Sequence, residues 1–172
     1  EKYGVDLLEK IIGIDILQTI DPTLMLDNKD WLELAGTERL INEKYCFLYT
    51  LRGYKNGRLW GEALAEFSRR TGLKFVCISP FFPITNKAAI NIPDARPKDF
   101  LNLIANAELV FTDSFHGTAF SINFNRPFYS FTGTKVGDNR KLEVMKLFGV
   151  ENRALETLDA IQEITDYSMS YE

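Results

Sequence analysis

Histidine and cysteine are almost absent from this 172-residue chain, which carries one histidine, His116, and two cysteines, Cys46 and Cys77. That leaves at most three soft ligands, at no spacing typical of a zinc site, and argues against a structural metal. Positive charge is also scarce: 20 Lys and Arg against 24 Asp and Glu give a formal net charge of −4. The arginines are scattered, so there is no electrostatic footprint for nucleic acid or an anionic membrane. No apolar run approaches the ~20 residues of a membrane-spanning helix, and no signal-peptide pattern opens the chain. Both cysteines sit in apolar, β-rich stretches, where a free thiol behaves as a small buried hydrophobe, so the expected compartment is the reducing cytoplasm. The chain begins EKYGVD, without an initiator methionine, and reads as a fragment of something longer.

What is present is the composition of one globular domain, 45% hydrophobic and 26% charged, with apolar side chains enough for a sizeable core. Two periodicities alternate along it. GVDLLEKIIG places Val5, Leu8 and Ile12 at helical spacing and stops at Gly13. IDILQTID reads as a strand limited by Pro22, and DNKDWLELAG as a short helix with Asp27 as its cap and Gly36 at its end. From residue 45 the pattern is regular, with strands expected at 45–50, 74–79, 108–112 and 127–131. Amphipathic helices separate them, one of them opened by Pro97. HGTAFSINFN, NRKLEVMKLFG and TLDAIQEI are the last three helices, and the Phe120, Phe124 and Phe128 series reads as core. Apolar strands between amphipathic helices predict an α/β fold, a Rossmann-like parallel sheet with helices on both faces, in which strand 108–112 is central. The domain is expected over 44–165, preceded by a lead-in over 1–43 and followed by a tail over 166–172. The connection 80–96 has no clear period and is long enough to be expected to lean over a site.

The single histidine falls in TDSFHGTAF, at the turn between the strand ending at Thr112 and Asp113 and the helix beginning near Gly117 and Thr118. Ligands of open parallel sheets bind there, outside the carboxyl ends of the strands. A helix start offers unpaired amides and a positive dipole end, which favour a phosphate or carboxylate, and Gly117 lets a ligand approach the backbone. Beside such an anion His116 donates a hydrogen bond or moves a proton. The plainer reading is a surface histidine, with Asp113 or Ser114 doing no more than capping the helix. Arg52, past the first strand, and Arg140, opening a helix in GDNRKLE, fall at the same edge as candidate anion ligands or as solvated charges.

DPTLML with the following DW, then ANAELVFTDSFHGTAFSINFNRPF, then NRKLEVMKLFGVENRAL resemble the carboxyl-terminal half of the polysaccharide pyruvyl transferase family, from about Val5 to Leu155. The resemblance implies a two-domain, GT-B-like enzyme with its active site between two Rossmann-like halves, of which this chain is the second. The amino-terminal half would then be missing, and DPTLML would be the crossover segment. It implies transfer of the enolpyruvyl group of phosphoenolpyruvate to two hydroxyls of a glycan or lipid-linked sugar acceptor, forming a ketal and releasing phosphate. No cofactor is needed. His116 is then the catalytic acid or a phosphate donor, and Arg52, Ser114, Gly117, Thr118 and Arg140 hold the phosphate and carboxylate. Many members carry Arg-Leu-His where this chain has Ser114-Phe115-His116. A glycosyltransferase half-domain that binds the diphosphate of a nucleotide sugar at the same helix start is the alternative enzyme. A non-catalytic binding module is the third reading.

Overall fold

The computed structural model describes residues 2–51, 57–78, 89–132 and 136–168. Six strands, β1 (Tyr45–Tyr49), β2 (Lys74–Ile78), β3 (Ala89–Asn91), β4 (Leu109–Thr112), β5 (Phe128–Phe131) and β6 (Ala154–Leu155), form one sheet in the order β3-β2-β1-β4-β5-β6. All five pairings are parallel. This is the doubly wound Rossmann order, and β4 stands with β1 at its centre. Parallel strands need crossover connections, supplied here by α3 (Gly57–Thr71), α4 (Pro97–Ala105), α5 (Phe115–Asn123) and α6 (Val136–Leu147), while α1 (Lys2–Ile12) and α2 (Asn28–Ala35) precede the sheet.

The strands are apolar throughout because both faces are covered. On one face Tyr45, Phe47, Val110 and Phe128 pack against Leu103 and Ile104 of α4, Phe120 of α5 and Met145 of α6. On the other, Cys46, Leu48, Phe75 and Phe111 pack against Trp60, Leu64 and Phe67 of α3 and Ile161 of the 3-10 turn Asp159–Glu163. Alternate residues of β1 thus feed opposite layers, as the pleat dictates. Both thiols are sealed in, and burial pushes the Cys77 thiol up to about 12. Phe120, Phe124 and Phe128 are buried, as their spacing predicts.

Three expectations are corrected. IDILQTID forms no strand: residues 15–20 are non-regular and mostly exposed, and the Ile16 amide donates to the Glu9 carboxylate at 3.0 Å instead of to a neighbouring strand. Part of the long connection is a strand, β3, which adds to β2 through Phe75, Val76 and Cys77, while residues 80–88 lie outside the described residues. TLDAIQEI forms only the 3-10 turn Asp159–Glu163. Pro97 opens α4, and Gly13 (φ 75°) and Gly36 (φ 81°) follow α1 and α2, whereas Asp27 stands at the N-cap of α2 with no side-chain hydrogen bond to the helix. Phe111 is fully buried, with its ring centroid 5.4 Å from Phe67 and 6.0 Å from Tyr129. Phe111→Ala is therefore expected to cost about 3–5 kcal/mol in urea unfolding. A loss below about 1 kcal/mol would show that this layer is not close-packed.

Candidate functional site

The connections leaving β1 and β4 lead to helices on opposite faces, α3 and α5, which makes this part of the carboxyl edge the switch point, where open parallel sheets carry their ligand crevice. Asp113 stitches its two sides together: one carboxylate oxygen accepts from the Thr50 hydroxyl and the other from the Leu51 amide, both at 2.7 Å. The Thr112 hydroxyl adds a second stitch, donating to the Tyr49 carbonyl at 2.7 Å and accepting from the Ser114 amide at 3.0 Å. Lys141 of α6 is buried, and its ammonium donates to the Asp113 carbonyl at 2.9 Å and to the Phe131 carbonyl. A buried ammonium is tolerated only when hydrogen-bonded, and here it binds the ends of β4 and β5 to α6.

The start of α5 is fixed from within. Ser114 is its N-cap, with the hydroxyl accepting from the Gly117 amide at 3.4 Å. The Thr118 hydroxyl donates to the Ser114 carbonyl at 3.1 Å and shares a 2.8 Å hydrogen bond with the Ser130 hydroxyl, wholly buried. A Cβ on Gly117 would lie 2.2 Å from Thr112 Oγ1 and 2.9 Å from Thr112 Cβ, so this glycine lets the helix lie against β4. Helix geometry leaves the amides of Phe115 and His116, the first two residues of α5, without intrahelical partners.

His116 is exposed beside this start, with its ring 5.5 Å from that of Phe115. Over Phe115 lies the Arg140 guanidinium, 3.6 Å from the ring centroid, and it is ion-paired with Asp21. Asp21 in turn accepts from the Thr23 amide at 3.0 Å and the Thr23 hydroxyl at 2.7 Å, so DPT caps its own 3-10 turn, Pro22–Leu24. Burial opposes the charge on Asp21. The Thr23 hydrogen bonds, followed by the charges of Arg140 and His116, outweigh it and hold its carboxyl below the ordinary 3.8. A pocket of about 470 Å³ opens at this cluster, between Gln18–Leu24 and α6.

The structure therefore brings His116 and Arg140 to one edge. Arg140 lies one turn inside α6, which begins at Val136 rather than near Asn139. Ser114, Gly117 and Thr118 lie at the same turn but are engaged in its internal scaffold. Arg52 lies outside the described residues. Asp21 and Lys141 were missed: the first carried only a crossover motif, and the second reads as one more solvated lysine. Among the described residues, no three His, Cys, Asp or Glu side chains are grouped to hold a metal, and no helix is long and apolar enough to cross a membrane.

Sheet order and crevice define a Rossmann-like domain of the GT-B-like kind. The UDP-GlcNAc 2-epimerase from Methanocaldococcus jannaschii is similar at 18% identity and a TM-score of 0.57, over 77% of this chain and 41% of that one. The UDP-GlcNAc 2-epimerase from Neisseria meningitidis, solved bound to UDP-GlcNAc, gives 11% identity and 0.54, over 79% of this chain and 37% of that one. The chain thus spans less than half the length of either. Its sequence matches the profile of the family described as polysaccharide pyruvyl transferase over residues 1–134, and the chain belongs to that family. No curated protein matches the sequence.

Two measurements check this geometry. Gly117→Ala should destabilise the fold by about 1–3 kcal/mol through overpacking, and by less in a Thr112→Ala background, because the hydroxyl is the nearest obstacle. Equal costs in both backgrounds would place the strain elsewhere. A carbon-detected NMR titration should put the Asp21 midpoint below 3.8, and Arg140→Ala should raise it. Because the folded pKa is depressed, the contribution of this tie is whole above the unfolded value and is lost as pH falls through the folded one. An Asp21 midpoint unmoved by Arg140→Ala would contradict the ion pair.

Proposed function

We propose that this domain serves transfer of a pyruvyl group from phosphoenolpyruvate to sugar hydroxyls of a polysaccharide or related glycan, and that His116 is its proton donor. The observation that supports it is the exposed His116 at the start of α5, over the switch-point crevice, with Arg140 across the neighbouring Phe115 ring. An anion seated at the amides of Phe115 and His116 meets the positive end of the helix and lies within reach of the imidazole. Membership of the pyruvyl transferase family supplies the reaction type.

In that reading protonated His116 gives its proton to the methylene carbon of phosphoenolpyruvate, which becomes a methyl group and leaves an oxocarbenium-like centre at the adjacent carbon. One sugar hydroxyl adds to that carbon and gives its proton to the now neutral imidazole; a second displaces phosphate as the carbon–oxygen bond to it breaks, its proton leaving with the phosphate, which closes the ketal. The amides and Arg140 balance the donor's negative charge without moving themselves. Gly117, Thr118 and Ser114 hold those amides in place, and Arg52 is retained as a candidate second cation.

The nucleotide-sugar reading places a diphosphate at the same amides, and the epimerase solved with UDP-GlcNAc shares the fold. Titration of the isotope-labelled chain separates the two. Phosphoenolpyruvate should shift the amides of Phe115, His116 and Gly117, and UDP-GlcNAc should shift them less or not at all. The reverse order would favour the nucleotide sugar. In a pyruvyl-transfer assay with the complete polypeptide, His116→Ala is expected to lower turnover by about 10²–10⁴ with the fold intact. Arg140→Ala should weaken phosphoenolpyruvate binding roughly ten- to a hundredfold, as expected for one charge-assisted hydrogen bond of about 1.5–3 kcal/mol. Wild-type turnover in His116→Ala would remove the histidine from the mechanism.

A further inference from the structure

Another cavity, of about 500 Å³, lies at the ends of α5 and α6 remote from His116. Its polar side chains are Asp27, Asn28, Asn123 and Asn125, and every other wall, Ile122 and Phe148 among them, is apolar. No lysine, arginine or histidine is among the described residues that line it. Two of its amide oxygens, Asn28 Oδ1 and Asn123 Oδ1, are buried and accept no hydrogen bond. The Asn123 nitrogen donates to the Leu26 carbonyl at 3.1 Å, which fixes its oxygen as the end left over. Buried acceptors without a donor are uncommon in folded proteins, and two in one cavity mark a demand for N–H or O–H groups.

The field there favours positive charge. α5 ends at Asn123 and α6 at Leu147, so two helices turn the negative ends of their dipoles toward the cavity. α2 begins beside it at Asn28 with a positive end, equivalent to about half a charge. Asp27, at that N-cap, makes no side-chain hydrogen bond to the helix, and its full charge outweighs the half. A hard metal ion matches poorly, because calcium takes about 6–8 oxygen ligands and more than half of the lining residues here are apolar. A primary ammonium matches well. Its three N–H donors face three acceptors, the Asp27 carboxylate and the Asn28 and Asn123 oxygens, while an alkyl stem lies along Ile122 and Phe148. The terminal torsion of asparagine is soft, so both oxygens can turn to the cavity surface as the ammonium arrives.

We propose that the cavity between Leu26–Asn28 and the ends of α5 and α6 binds a primary ammonium on an unbranched alkyl stem, carried by a free amine or by a lysine side chain. The length of α5, about 13 Å for its 9 residues, separates this site from the helix start at which an anion is favoured. The two ends of one helix thus take ligands of opposite charge, and the amine site does not rest on the pyruvyl-transfer reading.

The test is an NMR titration of the labelled full chain at pH 7 with n-pentylamine, which is protonated there, and with pentan-1-ol, calcium chloride and Nα-acetyl-lysine methylamide alongside. Pentylamine should shift the backbone amides of 26–28, 122–125 and 147–148 and the side-chain amides of Asn28 and Asn123, and leave His116 unmoved. Pentan-1-ol, with the same stem and no charge, should bind at least about tenfold more weakly. Asp27→Asn keeps the shape of the cap and should weaken pentylamine about tenfold or more. Asn28→Ala should weaken it severalfold without lowering the urea midpoint, because the oxygen removed has no partner within the fold. A stronger response to the lysine derivative than to pentylamine would assign the cavity to a protein's lysine and the reverse to a free amine, and either order supports the proposal. No shifts with pentylamine, equal shifts with pentan-1-ol, the same shifts produced by calcium, or undiminished binding in Asp27→Asn would each overturn it.

Discussion

Everything at the carboxyl edge depends on how closely α5 lies against β4. The first turn of the helix runs so near Thr112 that a methyl group on Gly117 would strike the threonine side chain, and only a hydrogen atom fits between them. That contact sets the height and tilt at which the helix leaves the sheet. It therefore fixes where the Phe115 and His116 amides point and where the imidazole stands. The Ser114 cap and the buried Thr118–Ser130 hydrogen bond then hold the turn in a single arrangement. Ser114, Gly117 and Thr118 build the turn itself, which gives the central motif a packing rationale.

A second set of ties sets the partners of that turn. Asp113 joins the exits of β1 and β4, and Lys141 joins the ends of β4 and β5 to α6. Arg140 adjoins Lys141 in the same helix, so its place follows from the sheet as well as from Asp21 and the Phe115 ring. Asp21 meets it from the other side and brings the segment before α2 into the site. The pair is held on both sides, since Asp21 is also engaged by Thr23 and Arg140 lies over the Phe115 ring.

Central strands and long helices were legible because their patterns are long enough to register: β1, β2, β4 and β5 are almost wholly apolar, and α3 and α4 carry clear stripes, while α5 is buried all round. β3 and β6, of three and two residues, are too short to have a period and exist only because a neighbouring edge recruits them. Residues 15–20 show the converse, a stretch with strand-forming residues that joins no edge. The His116 turn could be read because strand end, cap and glycine are adjacent in sequence. The Asp21–Arg140 pair spans 119 positions and Lys141 is buried by groups far along the chain, so neither leaves a local trace.

The pairing of β1 with β4 has a kinetic side. The Thr50–Asp113 hydrogen bond that closes the crevice joins residues 63 positions apart, and the whole β2–α4 stretch must be accommodated before the two strands meet. Contacts of such long range carry the loop-closure entropy first and return stabilisation only afterwards, which makes them slow to form. The crevice is therefore expected to be among the last parts of the domain to assemble. A nascent or partly unfolded chain would hold helices and strand pairs before the edge from which α5 starts is in place, so order at that edge reports completion of the fold and not merely its presence.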